Sequence, residues 1–276
     1  MKVIESLVIG KLNKEELCED AISITDNFIV VIDGVTSKSD FIFEGKKDGK
    51  LISEILVRAF ENLNEEFNCK ETINYLNSFV QNWYKEHNLY DTLKVDLLKR
   101  PAACVIIYSR HYNEIWLIGD CIGLYNEIII ENKSEIDNLA TEIRIGMLKY
   151  LLETQYCTER DLLVEDISKE ATRLLRKTQQ FVKNKITDSK YNYTVIDGFD
   201  TIYDLVKVVK VPENTKEIIL CSDGYPKIFP TLEETEKYLK HVIENDPLCY
   251  KINPYFRGIT EGASSFDDRA YIRFEI

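Results

Sequence analysis

Apolar and polar positions fall in alternating blocks along the chain. Near its start, AISIT (21–25) and FIVVID (28–33) are β-branched and apolar, and only Asp26-Asn27 separates them. That spacing predicts an antiparallel pair joined by a two-residue hairpin turn. A tight turn fixes the register: Thr25 faces Phe28, Ile22 faces Val31 and Asp20 faces Asp33, with Ile22, Ile24, Ile29 and Val31 on the face that carries both acids. A one-residue bulge would send one acid to the opposite face. Beyond this hairpin, KLISEILVRAFENLNEEF (50–67) repeats apolar residues at Leu51, Ile55, Leu56, Ala59, Phe60 and Leu63, the stripe of an amphipathic helix. TINYLNSFVQNWYKEH (72–87) continues helically. AACVIIYSR (102–110) and EIWLIGD (114–120) predict a second hairpin across Arg110–Asn113, with GLYNEIII (123–130) as a third strand.

From about residue 135 to 186 the chain is rich in Leu, Glu, Lys and Arg with helical periodicity, which predicts a pair or trio of helices interrupting the strands. Strand character returns at YNYTVID (191–197), LVKVVKV (205–211) and EIILC (217–221). A polar helix over LEETEKYLKHVIEN (232–245) and a terminal strand from DDRAYIRFEI complete the pattern. Strand blocks alternating with helix blocks, joined largely by hairpins, predict an α+β sandwich rather than a parallel sheet.

Composition narrows the function classes. The 276 residues, 45% of them apolar, suffice for a large core, and with 11 Gly, 6 Pro and no repeat or low-complexity linker a single domain spanning 1–276 is expected, the helices at about 135–186 forming an insert. A formal charge of -12 opposes non-specific binding to nucleic acid or to an anionic membrane. No run approaches the ~20 apolar residues of a membrane span, and the apolar stretch of MKVIESLVIGKLNKEEL is too short for a signal peptide, so a cytoplasmic protein is expected. The seven cysteines contain no C-x-x-C pair, which argues for reduced thiols.

The candidate chemistry lies in the acids. Directly opposed residues on an antiparallel ladder have Cβ atoms about 5 Å apart, where like charges repel, so Asp20 and Asp33 call for a neutralising cation. Carboxylates also stand at other strand ends: Glu19 beside Asp20, Asp223, Asp267 and Asp268, and Asp120. Hard divalent ions take oxygen ligands and retain waters, so a few convergent aspartates suffice. Gly34 and Gly224, each following an acid, permit close backbone approach and can offer a carbonyl oxygen nearby. Two metal ions about 3.5–4 Å apart can activate a water and clamp an in-line displacement, which makes phosphoester hydrolysis the natural reaction. Strand-end Asp is also ordinary turn chemistry, and Asp197-Gly198 is assigned to such a turn.

Other motifs are weaker. Cys104 and Arg110 match the Cys-x5-Arg spacing of cysteine-dependent phosphatases, but VIIYS between them is strand sequence without glycine, which places Cys104 in the core. GKKDGKL (45–51) is one residue short of a P-loop and carries Leu51 where Ser or Thr belongs, so it reads as a solvated loop before a helix. His87, His111 and His241 are isolated and form no zinc motif. The Lys/Arg/Glu-rich stretch at 159–186 reads as a solvated helical face.

Taken in order, Glu19-Asp20-Ala21, VIDGVTS, a helix, RPAACVII, LIGDC, LCSDGY and FDDRAYI resemble the motif series of the metal-dependent PPM/PP2C Ser/Thr protein phosphatases. The resemblance implies a four-layer α-β-β-α sandwich of two antiparallel sheets flanked by helices. It implies two Mn²⁺ or Mg²⁺ ions and a weaker third. Asp33 would bridge the pair, Gly34 would ligate through its backbone, and Glu19, Asp223 and Asp267 would complete the shells with Asp20 close by. Asp120 would help hold the third ion together with Asp223, and Asp33 and Asp223 would be central to catalysis. The implied reaction is attack of a metal-bridging water on a phosphoserine or phosphothreonine ester, with a phosphoprotein substrate and a cognate Ser/Thr kinase as signalling partners.

One departure stands out: the family's phosphate-gripping arginine, four residues before the first glutamate, is Glu15 here. Lys11, Lys14, Lys38 or Arg100 are candidates to replace it, and a lysine lacks the bidentate fork. This departure keeps two other readings open, a pseudophosphatase serving as a binding or regulatory module and a phosphatase of small metabolites.

Overall fold

A computed structural model describes residues 1–36, 39–132, 134–185 and 188–276. The strands are β1 (Lys2–Ile9), β2 (Ala21–Ile24), β3 (Phe28–Gly34), β4 (Ile42–Phe43), β5 (Lys46–Lys47), β6 (Ala103–Ser109), β7 (Glu114–Ile118), β8 (Ile122–Tyr125), β9 (Ile128–Glu131), β10 (Lys207–Lys210), β11 (Glu217–Cys221) and β12 (Arg269–Glu275). The α-helices are α1 (Asp48–Glu61), α2 (Cys69–Glu86), α3 (Tyr90–Val95), α4 (Glu135–Glu153), α5 (Glu159–Val164), α6 (Arg173–Thr178) and α7 (Leu232–Asn245). Two five-stranded antiparallel sheets run β10-β7-β6-β3-β2 and β1-β12-β11-β8-β9.

Side-chain alternation turns these sheets into layers. On β3, Phe28, Val30 and Ile32 face α1 and α2, where they pack with Ile52, Leu56, Leu76 and Val80. The intervening Ile29 and Val31 face the second sheet and meet Leu220, Ile272 and Phe274. The outer side of that second sheet, with Ile219 and Tyr271, is covered by Leu239 and Val242 of α7. The order helix, sheet, sheet, helix is therefore an α+β sandwich, as the sequence pattern predicts. A smaller apolar cluster joins Leu148 and Leu151 of α4 and Leu162 of α5 to Leu248, so the helical insert packs on the segment that follows α7.

The first hairpin has the expected register, with Ala21 opposite Ile32 and Ile22 opposite Val31, and the Thr25 N–H donates to the Phe28 carbonyl at 2.9 Å. Ile24, however, is 53% exposed, because β2 is the edge strand of its sheet. The run GLYNEIII is two strands rather than one: Asn126 and Glu127 both adopt positive φ (46° and 65°), the backbone of a tight hairpin turn between β8 and β9. YNYTVID forms no regular strand. Ile196 makes a single antiparallel bridge to Ala103 of β6, and the Asn184 side chain accepts from the Val195 N–H at 3.0 Å and donates to its carbonyl at 3.1 Å.

GKKDGKL is not a loop either: Lys46–Lys47 pair with Ile42–Phe43, and α1 starts at Asp48. Lys2–Ile9 forms β1, a strand not among the predicted elements, although KVIESLVI alternates and its burial follows that alternation where it lies against β12. Among the described residues, no helix is long and apolar enough to cross a membrane.

Close backbone approach at Gly34 fixes how β3 meets α1. A Cβ there would lie 2.3 Å from the Gly49 carbonyl oxygen and 2.6 Å from that of Glu19. Gly34→Ala is therefore expected to lower unfolding stability by about 2 kcal/mol, the scale of overpacking. Gly146→Ala, in the exposed middle of α4 with nothing within 4 Å of the added carbon, should instead stabilise by up to about 1 kcal/mol. Urea titrations of the two variants check both signs.

Candidate metal centre

Three strand ends meet at one end of the sandwich. Asp33 terminates β3, Asp120 lies in the link that carries the chain from β7 to β8, and Asp223 follows β11 of the opposite sheet. Each offers a carboxylate oxygen, and these atoms lie within 4.8 Å of one another. Register explains the first two: Asp33 pairs with Cys104 on β6, and the next residue of β6, Val105, pairs with Ile118 of β7. Cys104 thus stands between the two acids. Gly119 (φ 94°) makes the turn before Asp120, and a Cβ on it would sit 2.3 Å from the Cys104 sulfur.

Glu19 and Asp20 are buried at 5% and 3% exposure. Glu19 Oε1 and Asp20 Oδ2 are enclosed with no hydrogen-bond donor among the described residues. Continuing the β2–β3 register by one residue sets Asp20 opposite Asp33. Asp268 ties the first motif to the last, accepting from the Glu19 N–H and from the Lys11 N–H, each at 2.8 Å. Asp267 lines the same cavity as the three clustered acids but is not grouped with them. Its carboxylate is held by Lys11 Nζ at 2.8 Å and by Arg257. The Gly34 carbonyl packs towards Gly49, which has no room for a Cβ beneath it.

Crowded carboxylates resist ionisation. Burial, then the charges of Asp20, Asp223 and Asp120, push the Asp33 carboxyl well above its usual range. Burial and the neighbours Asp268, Asp223 and Glu19 do the same to Asp20, against a hydrogen bond from Ser222. Asp120 is pushed up to about 7 by burial, Asp223 and Asp137, and burial raises Glu19. Orphaned buried oxygens and mutually repelling acids fit hard divalent cations, which supply the missing positive charge and accept oxygen ligands. Cys104 does not fit a nucleophile's role: burial and the charges of Asp120 and Asp33 drive its thiol far above the usual range, which suppresses the thiolate.

The candidate replacements for the missing arginine fare differently. Lys11 is taken by Asp267, Lys14 is exposed, and Lys38 lies outside the described residues. Arg100 lines the cavity but bonds to Asp197 and to the Leu93 and Lys94 carbonyls. Asp197 and Gly198 do form the expected turn, the Asp197 carboxylate accepting from the Phe199 N–H at 3.1 Å.

Several residues of the site escaped the sequence reading. The Tyr255 hydroxyl donates to Asp223 at 2.7 Å. Arg257 reaches Asp267 from the same loop, and Arg176, Gln179, Gln180 and Lys183 line the cavity, so one part of the stretch read as a solvated face is a wall of the site, while Glu159, Arg160, Glu170, Arg173 and Lys177 are exposed as that reading expects. The wall is anchored by Arg144 of α4, fully buried, which pairs with Asp166 at 2.7 Å and donates to the Tyr255 carbonyl at 3.0 Å. Asp246 holds the adjoining turn by accepting from the backbone N–H groups of Tyr250, Lys251, Ile252 and Asn253. The aromatic-arginine run YFRG (255–258) was the signal available in the sequence.

The sequence matches no protein-family model and no curated protein. Among solved structures, the chain is similar to the serine/threonine phosphatase PstP/Ppp of Mycobacterium tuberculosis, at 11% identity with 99% of this chain and 98% of that chain covered and a TM-score of 0.47. It is similar to the serine/threonine phosphatase Stp1 from Staphylococcus aureus, at 15% identity with 100% and 95% covered and a TM-score of 0.49. A structure of RsbX in complex with magnesium is similar at 11% identity, with 99% and 98% covered and a TM-score of 0.44. Each is a likeness in the course of the backbone, running from one end of the chain to the other.

Proposed function

We propose that this protein is a Mn²⁺- or Mg²⁺-dependent phosphatase acting on phosphoserine and phosphothreonine esters. The observation that carries the reading is the convergence of Asp33, Asp120 and Asp223 from three separate strand ends to within 4.8 Å. The order of acidic motifs along the chain supports it. Asp33 and Asp223 are the central ligands, with Asp120, the Gly34 carbonyl, Glu19, Asp20 and Asp267 in supporting positions, for two ions and a weaker third. Divalent cations bound there supply Lewis acidity towards a phosphoryl oxygen and towards the attacking water.

The chain's own residues do the positioning. Tyr255 orients the Asp223 carboxylate through its 2.7 Å hydrogen bond. Asp268 fastens Glu19 against the end of the second sheet, and Glu19 and Asp20 are buried beside the half-buried cluster. Asp267, now bonded to Lys11 and Arg257, would hold a cation only on giving up those partners.

Asp223→Asn should lower Mn²⁺-dependent hydrolysis of an aryl phosphate and of a phosphothreonine peptide by roughly 100-fold or more, the scale of losing a charge-stabilising group. Chelator should abolish turnover in the wild type. Turnover that survives chelator and vanishes in Cys104→Ser would overturn the mechanism. Cleavage of the aryl phosphate with the peptide spared would point to small metabolites, and Mn²⁺ binding with neither ester cleaved would point to a regulatory module. Tyr255→Phe should weaken Mn²⁺ binding by about 10-fold, as loss of an outer-sphere partner does, which calorimetric titration reads directly.

The acids also give a pH signature. Asp20, Asp33 and Asp120 are harder to ionise in the folded chain than in the unfolded one, where Asp titrates near about 3.9. All three are protonated in both states at low pH, so their penalty appears only as pH rises through and above about 4. It grows until the folded groups titrate, Asp120 at about 7. In chelator, the melting temperature should carry a falling contribution from these acids over that range. A fixed Mn²⁺ concentration, 100 times the Kd at pH 7, adds about 2.7 kcal/mol there and less at pH 5, where protons compete for the same carboxylates. The Mn²⁺-minus-chelator gap in melting temperature should therefore widen from pH 5 to pH 7, and a gap independent of pH would contradict this electrostatic account.

A further inference from the structure

We infer that Arg176 and Arg257, contributed by the helical insert and by the loop after α7, grip the phosphoryl group of the substrate in place of the arginine absent at Glu15. The inference rests on the phosphatase reading above. Two cavities flank the three clustered acids and share Asp120, Asp137, Asp223 and Asp267 as lining. The one of about 270 Å³ is lined by carboxylates and, among the described residues, by no lysine or arginine. The one of about 250 Å³ is lined by Arg100, Arg176, Lys183 and Arg257 as well. An anionic ester is drawn to the second.

Of those four cations, three face a carboxylate within 3.5 Å. Arg100 and Lys183 share Asp197 at 3.3 and 3.5 Å, Lys183 as an ion pair without a hydrogen bond among the described residues, and Arg100 also donates to the Leu93 and Lys94 carbonyls. Arg176 is different. Its side chain is 21% exposed, its nearest carboxylate is Asp137 at 3.9 Å, and its guanidinium makes no hydrogen bond among the described residues. It stacks on Phe256 at 3.9 Å, and Arg257 lies over the same ring at 4.5 Å. One aromatic platform therefore carries two forks, on the loop whose Tyr255 already touches Asp223.

Arg144 and Asp166 hold that loop from behind, so the guanidinium groups are pre-positioned. Arg257 is paired with Asp267, an acid that cations would claim, which would free its fork for a phosphate. Glu15, by contrast, is exposed on a short 3-10 turn. Arginine suits the role because its planar donors match two phosphate oxygens at once, which lysine cannot do.

The test is binding of inorganic phosphate, by calorimetry at saturating Mn²⁺, to wild type, Arg176→Ala, Arg257→Ala, Arg176→Lys and the surface control Lys14→Ala, with KM and kcat for both esters. Each arginine-to-alanine change should weaken phosphate binding by roughly 10- to 100-fold, the worth of a charged hydrogen bond, and raise KM, with Mn²⁺ affinity retained. Arg176→Lys, which keeps charge and bulk, should recover only part of the loss, and Lys14→Ala should match wild type. Unchanged phosphate affinity in both alanine variants overturns the assignment, as does loss of Mn²⁺ affinity with phosphate affinity intact. Failure of wild type to bind Mn²⁺ or to cleave either ester is a separate result that removes the phosphatase reading itself.

Discussion

Repulsion among carboxylates is the constraint around which this molecule is built. Asp33, Asp120 and Asp223 are brought within 4.8 Å of one another, with Asp20 and Glu19 buried beside them. A fold that gathers so many acids where water is scarce loses stability whenever they ionise together. It tolerates them because the rest of the sandwich is well packed: β3 is buried on both faces, with one set of side chains under α1 and α2 and the other against the second sheet. Under the proposed function a divalent cation would turn the liability into a working site, since the same closeness that costs folding energy would give the ion its oxygen ligands.

Positive charge comes from the opposite side. The insert and the loop after α7 carry Arg144, Arg176 and Arg257, and each has a distinct place. Arg144 is internal and structural, bonded to Asp166 and to the Tyr255 carbonyl. Arg257 balances Asp267, and Arg176 lies against Phe256 with donors unspent. The floor of the site is thus strand-end acid, and its wall is aromatic and arginine from segments distant in sequence. Such a division lets the wall vary without disturbing the acids, because the two are joined mainly through Tyr255, Asp223 and the Arg257–Asp267 pair.

Much of the floor was legible before any coordinates. The register that sets Asp20 towards Asp33 follows from a two-residue turn, a short-range property that the ladder keeps as far as Ala21 opposite Ile32. The amphipathic stripes of α1 and α7 appear where the apolar spacing places them. YNYTVID misled because its backbone is satisfied piecemeal, by single bridges from Ile196 to Ala103 of β6 and from Tyr193 to Lys183 and by the Asn184 side chain, rather than by a continuous ladder. GLYNEIII misled because Asn126 and Glu127 fold back within what reads as one apolar run.

By itself, then, the sequence determined the α+β character, the first hairpin and its register, the main amphipathic helices, and which acids end the strands, because periodicity and turn chemistry act over a few residues. Only the tertiary structure decided that Asp120 joins Asp33 and Asp223 in the tight cluster while Asp267 turns to Lys11 and Arg257. It likewise decided that Arg176, Tyr255 and Arg257 face these acids. Those meetings depend on how two sheets, an insert and a loop close on one another, and no local pattern of apolar and polar residues encodes the distance between charges carried by separate elements.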